Sequence, residues 1–258
     1  MLTGRMAMRN NEVRFQRILG VRFCVGPEAQ VVEKIVSSGG LVVVPAAPAL
    51  RDLNRDAAYR EALLNADFAI TDSALMVWLW NLISGDKIPK LSGLKYLRAL
   101  LNREDLRTCG ASFWIMPSER SARKNLDWLQ RSGVNLSESD TYVAPMYGET
   151  VEDSQLLAHI EESRPRHVVI GIGGGTQEKL GFYLRRNLSF TPSIHCIGAA
   201  IGFLSGDQVQ IPVWADGLGL GWLWRCISDP KRFIPRYWRA RSLVALMLRY
   251  REECPVVE

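Results

Sequence analysis

Patterns that bind metal are scarce in this 258-residue chain. Its three histidines, His159, His167 and His195, stand at no metal-ligand spacing from a cysteine or an acid. The five cysteines (Cys24, Cys109, Cys196, Cys226 and Cys254) include no C-x-x-C pair, which argues against structural zinc. Their odd number and wide scatter fit a reducing compartment. H-E-x-x-H, the Walker loop and the G-x-S-x-G elbow are all missing, so the signatures of zinc hydrolases, P-loop enzymes and serine hydrolases are missing too. No apolar run reaches the roughly 18 residues of a spanning helix. Arg5, Arg9, Arg14 and Arg17 lie near the start with no apolar core of a secretory signal around them. These absences predict a protein of the cytosol, or of a membrane surface facing it. There is no internal repeat and no low-complexity segment.

The composition is that of a globular protein, 47% hydrophobic and 23% charged, and the length suits one large α/β domain or a domain with an appendage. Short β-branched or aromatic runs recur at 41–44, 67–71, 112–116, 141–144, 168–172 and 193–197. Between them lie helix-length segments, such as 28–38, 73–83, 120–131 and 151–163. Six strands alternating with helices predict a doubly wound, mostly parallel, Rossmann-like sheet. Ahead of them, 18–26 alternates between glycines as a short hairpin or lead-in strand. Residues 1–17 read as a loose arm, 18–210 as the sheet domain and 211–258 as a basic C-terminal helical appendage.

The stretch from His167 to Gly206 carries most of the functional signal. His167-Val168-Val169-Ile170-Gly171-Ile172 runs into Gly173-Gly174-Gly175-Thr176-Gln177-Glu178, and Ser193–Ile197 ends in Gly198-Ala199-Ala200. This is a βαβ pattern with glycine at both strand ends, where ligands of parallel sheets bind. Glycine admits close approach of backbone N–H groups, and a helix start favours negative charge. A nucleotide or phosphate ligand is therefore expected at Gly171, Gly173, Gly174 and Gly198, with turn chemistry alone as the other reading. Gln177 and Glu178 could bond a sugar or ribose, or simply start a helix. A nicotinamide cofactor fits poorly, since Thr176 stands where the third glycine would fall.

Asp72 ends the 67–71 strand and faces the same crevice. It is a candidate catalytic carboxylate, although position alone favours a helix N-cap. The segment Trp222–Arg251 holds eight lysines and arginines against the single Asp229, a balance of +7, interleaved with Trp222, Trp224, Phe233, Tyr237, Trp238 and Tyr250. Basic helices with tryptophan and leucine suit an anionic membrane surface or a phosphate-bearing partner; an ordinary docking helix has the same composition. No recognition motif accompanies the charge, so nucleic acid is not expected.

Several stretches, taken together and in order, resemble the WecG/TagA/CpsF family of glycosyltransferases (glycosyltransferase family 26). They are Ala66–Asp72, Gly93 after the Pro89 loop, Gly171-Ile172-Gly173 with Gln177-Glu178, and Gly198–Gly206. Pro212-x-Trp214, Gly219–Arg225, Asp229-Pro230-x-Arg232 and Arg236-Tyr237 close the set. The family's Thr-x-Asn is replaced by Pro45-Ala46-Ala47-Pro48, and its D-G-x-G by Asp72-Ser73-Ala74-Leu75. Its P-K-Q-E becomes Gly175-Thr176-Gln177-Glu178, and its F-D-F-L becomes Ile201-Gly202-Phe203-Leu204. Lys95 stands where an acid usually follows the Gly93 position.

The resemblance implies transfer of a sugar, with inversion, from a UDP-sugar to a lipid-diphosphate-linked saccharide in surface or exopolysaccharide synthesis. It implies no cofactor, no essential metal, and a place on the cytoplasmic face of the inner membrane. Asp72 would be the general base. Gly171, Gly173, Gly174, Gln177, Glu178 and Gly198 would hold the donor, and Arg225, Arg232 and Arg236 the diphosphate or acceptor. Self-association into a homo-oligomer is left open. The replaced family residues also admit a catalytically silent homologue that scaffolds a polysaccharide assembly complex.

Overall fold

The computed structural model describes residues 12–208 and 221–256, apart from the side chains of Trp222, Arg225, Arg232 and Arg236. Eight strands form one sheet in the order β1-β2-β4-β3-β8-β7-β5-β6. They are β1 (Arg14–Ile18), β2 (Val21–Val25), β3 (Gly40–Val43), β4 (Phe68–Ala69), β5 (Ser112–Met116), β6 (Thr141–Val143), β7 (His167–Ile170) and β8 (Ser193–Cys196). Among the described residues only the β1–β2 pair is antiparallel; the other pairs are parallel. The two strands beyond the expected six make the hairpin at one edge, so chain read as a loose arm is already strand from Arg14. Residues 1–11 lie outside the described residues.

Side-chain alternation explains why the central strands read as unbroken apolar runs. Leu41 and Val43, Phe113 and Ile115, Val168 and Ile170, and Ile194 and Cys196 join the core on one face. Val42 and Val44, Trp114 and Met116, and Val169 join the core on the other. With both faces covered by helices, every position of a central strand must be apolar or paired. β4 is shorter than its run at both ends, and just before it Asp67 turns its carboxylate to the Leu41 N–H at 2.7 Å and to Arg185 at 3.1 Å.

One polar chain crosses this interior. The Tyr96 hydroxyl and His195 Nδ1 are 2.7 Å apart, and His195 Nε2 and His167 Nδ1 are 3.2 Å apart. Both imidazoles are fully buried, and burial lowers both from the ordinary histidine range, His167 to about 4.

Thirteen helices complete the described residues. Those used below are α2 (Ala47–Leu50), followed by a 3₁₀ turn Arg51–Asn54, α3 (Ala57–Leu64), α4 (Ala74–Ile83), α5 (Gly93–Leu101) and α9 (Thr176–Asn187). Three more, α11 (Gly221–Ser228), α12 (Pro230–Arg239) and α13 (Ser242–Tyr250), come from the basic tail. The tail is not a separable appendage. Leu243 and Met247 of α13 are fully buried in the core that β3, β7 and β8 share, against α4. Beyond α13, the Arg251 and Glu252 carbonyls accept the N–H groups of Leu19 and Gly20 in the edge hairpin at 2.7 and 2.9 Å. Among the described residues, no helix is long and apolar enough to cross a membrane.

Candidate functional site

The carboxyl ends of β3, β4, β7 and β8 meet at one rim of the sheet. Past β4, the Thr71 hydroxyl donates to the Pro89 carbonyl at 2.8 Å and accepts the Leu91 N–H at 3.1 Å. These bonds pin the loop after α4 against the strand end and bring α5 beneath Asp72. Asp72 Oδ1 then accepts the Gly93 N–H, the first of α5, at 2.9 Å. A Cβ at Gly93 would stand 3.0 Å from Val44 Cγ1, so glycine is what lets this helix start close upon the strand ends. Asp72 does not cap its own helix: Ser73 caps α4 by accepting the Met76 N–H, and Ser92 caps α5 by accepting the Lys95 N–H. The half-buried Asp72 carboxylate is held in orientation at the rim by a helix drawn from elsewhere in the chain.

The glycine turn after β7 divides into an inward and an outward part. Gly171 packs against the Ile115 carbonyl and Ile201, whereas Gly173 and Gly174 are exposed. Gln177 and Glu178, expected near a sugar, are buried and committed to the turn itself. Glu178 Oε2 accepts the Gly175 N–H at 2.6 Å, and Oε1 accepts from Gln177 Nε2 at 3.0 Å. Gln177 Oε1 accepts the Gly198 N–H at 2.7 Å, and its Nε2 also reaches the Cys196 carbonyl at 3.3 Å. The N–H of Gly198 thus serves the scaffold. Burial pushes the Glu178 carboxyl up, while its bonds from Gln177 and Gly175 act the other way.

Beside this turn lies a cavity of about 420 Å³, lined by Gly173, Gly174 and Gly175 on one side and by residues 48–59 on the other. Arg51, Asp52, Asp56 and Tyr59 belong to the second wall, and Arg239 of α12 reaches the cavity from the tail. Asp56 is engaged by Lys179 at 2.7 Å and by the Tyr59 N–H at 2.9 Å. Burial, and then the charge of Glu178, pushes the Tyr59 phenol well up, so it is a neutral hydroxyl. Asp72 is outside this wall. It is approached instead through Gly93, whose surroundings Val44 and Ile197 belong to the core of the opposite face. The side chains of Arg225, Arg232 and Arg236 lie outside the described residues; their backbone positions are on α11 and α12.

Tyr59, Asp52 and Arg239 line the cavity and are not among the residues the sequence singles out. Tyr59 sits at core spacing in a helix, and the 3₁₀ turn that swings Asp52 to the rim has no strong signature. For Arg239 the only signal was the charge of the tail as a whole.

A doubly wound sheet with a polar cavity, an open glycine turn and an oriented carboxylate at its carboxyl rim has the layout of α/β proteins that take ligands at the strand ends. The glycosyl transferase WecG/TagA/CpsF family model matches residues 16–254, and the chain belongs to that family. No curated protein matches the sequence. The protein is accordingly a glycosyltransferase of cell-surface polysaccharide synthesis, working on a sugar donor and a saccharide acceptor.

Proposed function

We propose that the donor is a UDP-sugar and the acceptor a lipid-diphosphate-linked saccharide, with transfer by inversion. The observation that carries this reading is the Asp72 carboxylate, fixed by the Gly93 N–H at the carboxyl rim of the sheet, the rim at which the glycine turn after β7 is also open. In the reaction the acceptor hydroxyl oxygen attacks the anomeric carbon as the bond from that carbon to the diphosphate oxygen breaks. The hydroxyl proton passes to Asp72, and UDP departs with the bonding electron pair. A positioned base contributes about 10²–10⁴-fold to rate.

The exposed backbone of Gly173 and Gly174 at the start of α9 suits the diphosphate. Arg232 and Arg236 share the helix whose end, Arg239, reaches the cavity. With Arg225 they would meet the charge that grows on the leaving group, a task suited to the guanidinium fork.

Placement on the cytoplasmic face of the inner membrane is supported by exposed Trp78 and Leu82 on α4 and Leu248 on α13, helices packed on one another. Ile227, Ile234 and Trp238 are exposed on the neighbouring basic helices. The test is transfer from a panel of UDP-sugars to a short-chain diphosphate-lipid acceptor, reading the anomeric configuration of the product. Inverted product supports the reading. UDP-sugar binding without transfer to any acceptor would favour the scaffolding homologue, to which the replaced family residues point.

A further inference from the structure

The cavity beside the glycine turn has two chemically different walls. The Gly173–Gly175 backbone and Arg239 favour negative charge, whereas on the other wall the charges of Asp52 and Asp56 are balanced by Arg51 and Lys179. A diphosphate is therefore directed to the glycine side, and the carboxylate side is left to neutral, hydroxyl-bearing groups. Within that wall Asp56 is occupied by Lys179, and Asp52 pairs with Arg51 at 2.8 Å. Tyr59 differs from both. It is 1% exposed, and its hydroxyl is enclosed without a hydrogen-bond partner. Leaving such a hydroxyl unsatisfied costs free energy, and phenylalanine would fill the same space without that cost.

We propose that Tyr59 is a specificity-determining residue of the donor site, its hydroxyl bonded to a hydroxyl of the donor's hexose or ribose ring when a donor occupies the cavity. This inference rests on the UDP-sugar reading above. It makes the 47–59 segment the wall that reads the sugar or ribose, and the glycine turn the wall that takes the phosphates.

The experiment compares full-length wild type and Tyr59→Phe by thermal unfolding and by calorimetry with UDP, 2′-deoxyuridine diphosphate, UDP-glucose and UDP-N-acetylglucosamine. Free Tyr59→Phe should unfold at the same temperature as wild type or higher, because it loses no bond. Its affinity for at least one UDP-sugar should fall about threefold to tenfold, the range for one lost neutral hydrogen bond. A loss confined to the UDP-sugars assigns the contact to the hexose. A loss shared by UDP and absent for the deoxy analogue assigns it to the ribose. Unchanged affinity for every probe that wild type binds overturns the proposal alone, as does a lowered unfolding temperature of the free variant. Failure of wild type to bind UDP or any UDP-sugar overturns the donor reading and the inference with it.

Discussion

The Gly198 N–H and the side-chain oxygen of Gln177 lie 2.7 Å apart, and this bond ties the end of β8 to the first turn of the helix that follows β7. The same amide donates to Glu178 and to the Cys196 carbonyl, so one buried side chain fixes two strand ends. Gln177→Leu keeps the bulk and removes all three bonds. Stability should fall by about 1–3 kcal/mol, the range for stranded buried polar groups. UDP affinity should fall with it as the glycine turn loosens. Urea unfolding and calorimetry check the two effects, and a loss of stability with UDP affinity unchanged would uncouple the amide from the turn.

At Gly173 a Cβ would meet nothing within 4 Å. Gly173→Val should therefore fold with wild-type stability while its branched side chain keeps phosphate from the backbone. UDP affinity should drop at least tenfold by calorimetry. Unchanged affinity would remove the glycine turn from the donor site.

His167 and His195 are buried neutral, with folded-state values below the unfolded value of 6.5. Burial is the main cause for both; Asp105 pulls each back up, while Arg166 and Arg103 lower His167 further and His167 lowers His195. The unfolded chain thus binds the additional protons. Their contribution to stability is complete above about pH 6.5 and is lost as pH falls towards about 4, on the order of 1 kcal/mol per histidine per pH unit. Urea melts between pH 8 and pH 4.5 should show this slope, and the double variant His167→Asn, His195→Gln should flatten it.

Leu243 and Met247 are fully buried, so α13 is part of the fold. Met247→Ala should cost about 2–5 kcal/mol by denaturant unfolding. Membrane contact is better tested on exposed residues of the same region. Replacing Trp78, Leu82 and Trp238 by serine should leave stability within about 0.5 kcal/mol of wild type. The same change should reduce co-sedimentation with anionic vesicles, and wild-type binding should itself weaken as salt rises. Equal sedimentation of the two proteins would remove these helices from the membrane surface.

Much of this architecture was legible in the sequence, because a strand covered on both faces must be apolar at every position, as Leu41-Val42-Val43 is. The edge strand Arg14–Ile18 escaped notice because an edge needs burial on fewer positions, and Arg14 and Gln16 are polar. The tail was set apart because net charge reports exposed faces, while Leu243 and Met247, four residues apart, mark a face that composition averages away. Asp72 could be placed at a strand end, but its partner, Gly93, is brought to it by bonds from Thr71 to Pro89 and Leu91. Gln177 and Glu178 read as sugar-binding or helix-starting groups rather than buried ones, because such side chains are seldom fully buried unless paired, and their partners include backbone groups made adjacent only by the fold.

The most direct test of the account is Asp72→Asn, which keeps the shape of the side chain and the acceptor for the Gly93 N–H while removing its basicity. With a UDP-sugar that the wild type transfers, and a soluble diphosphate-lipid acceptor, donor affinity should stay near wild type and turnover should fall by about 10²-fold or more. Turnover within about threefold of wild type, on the same scale, would contradict the account and leave Asp72 as a residue that only anchors the start of α5.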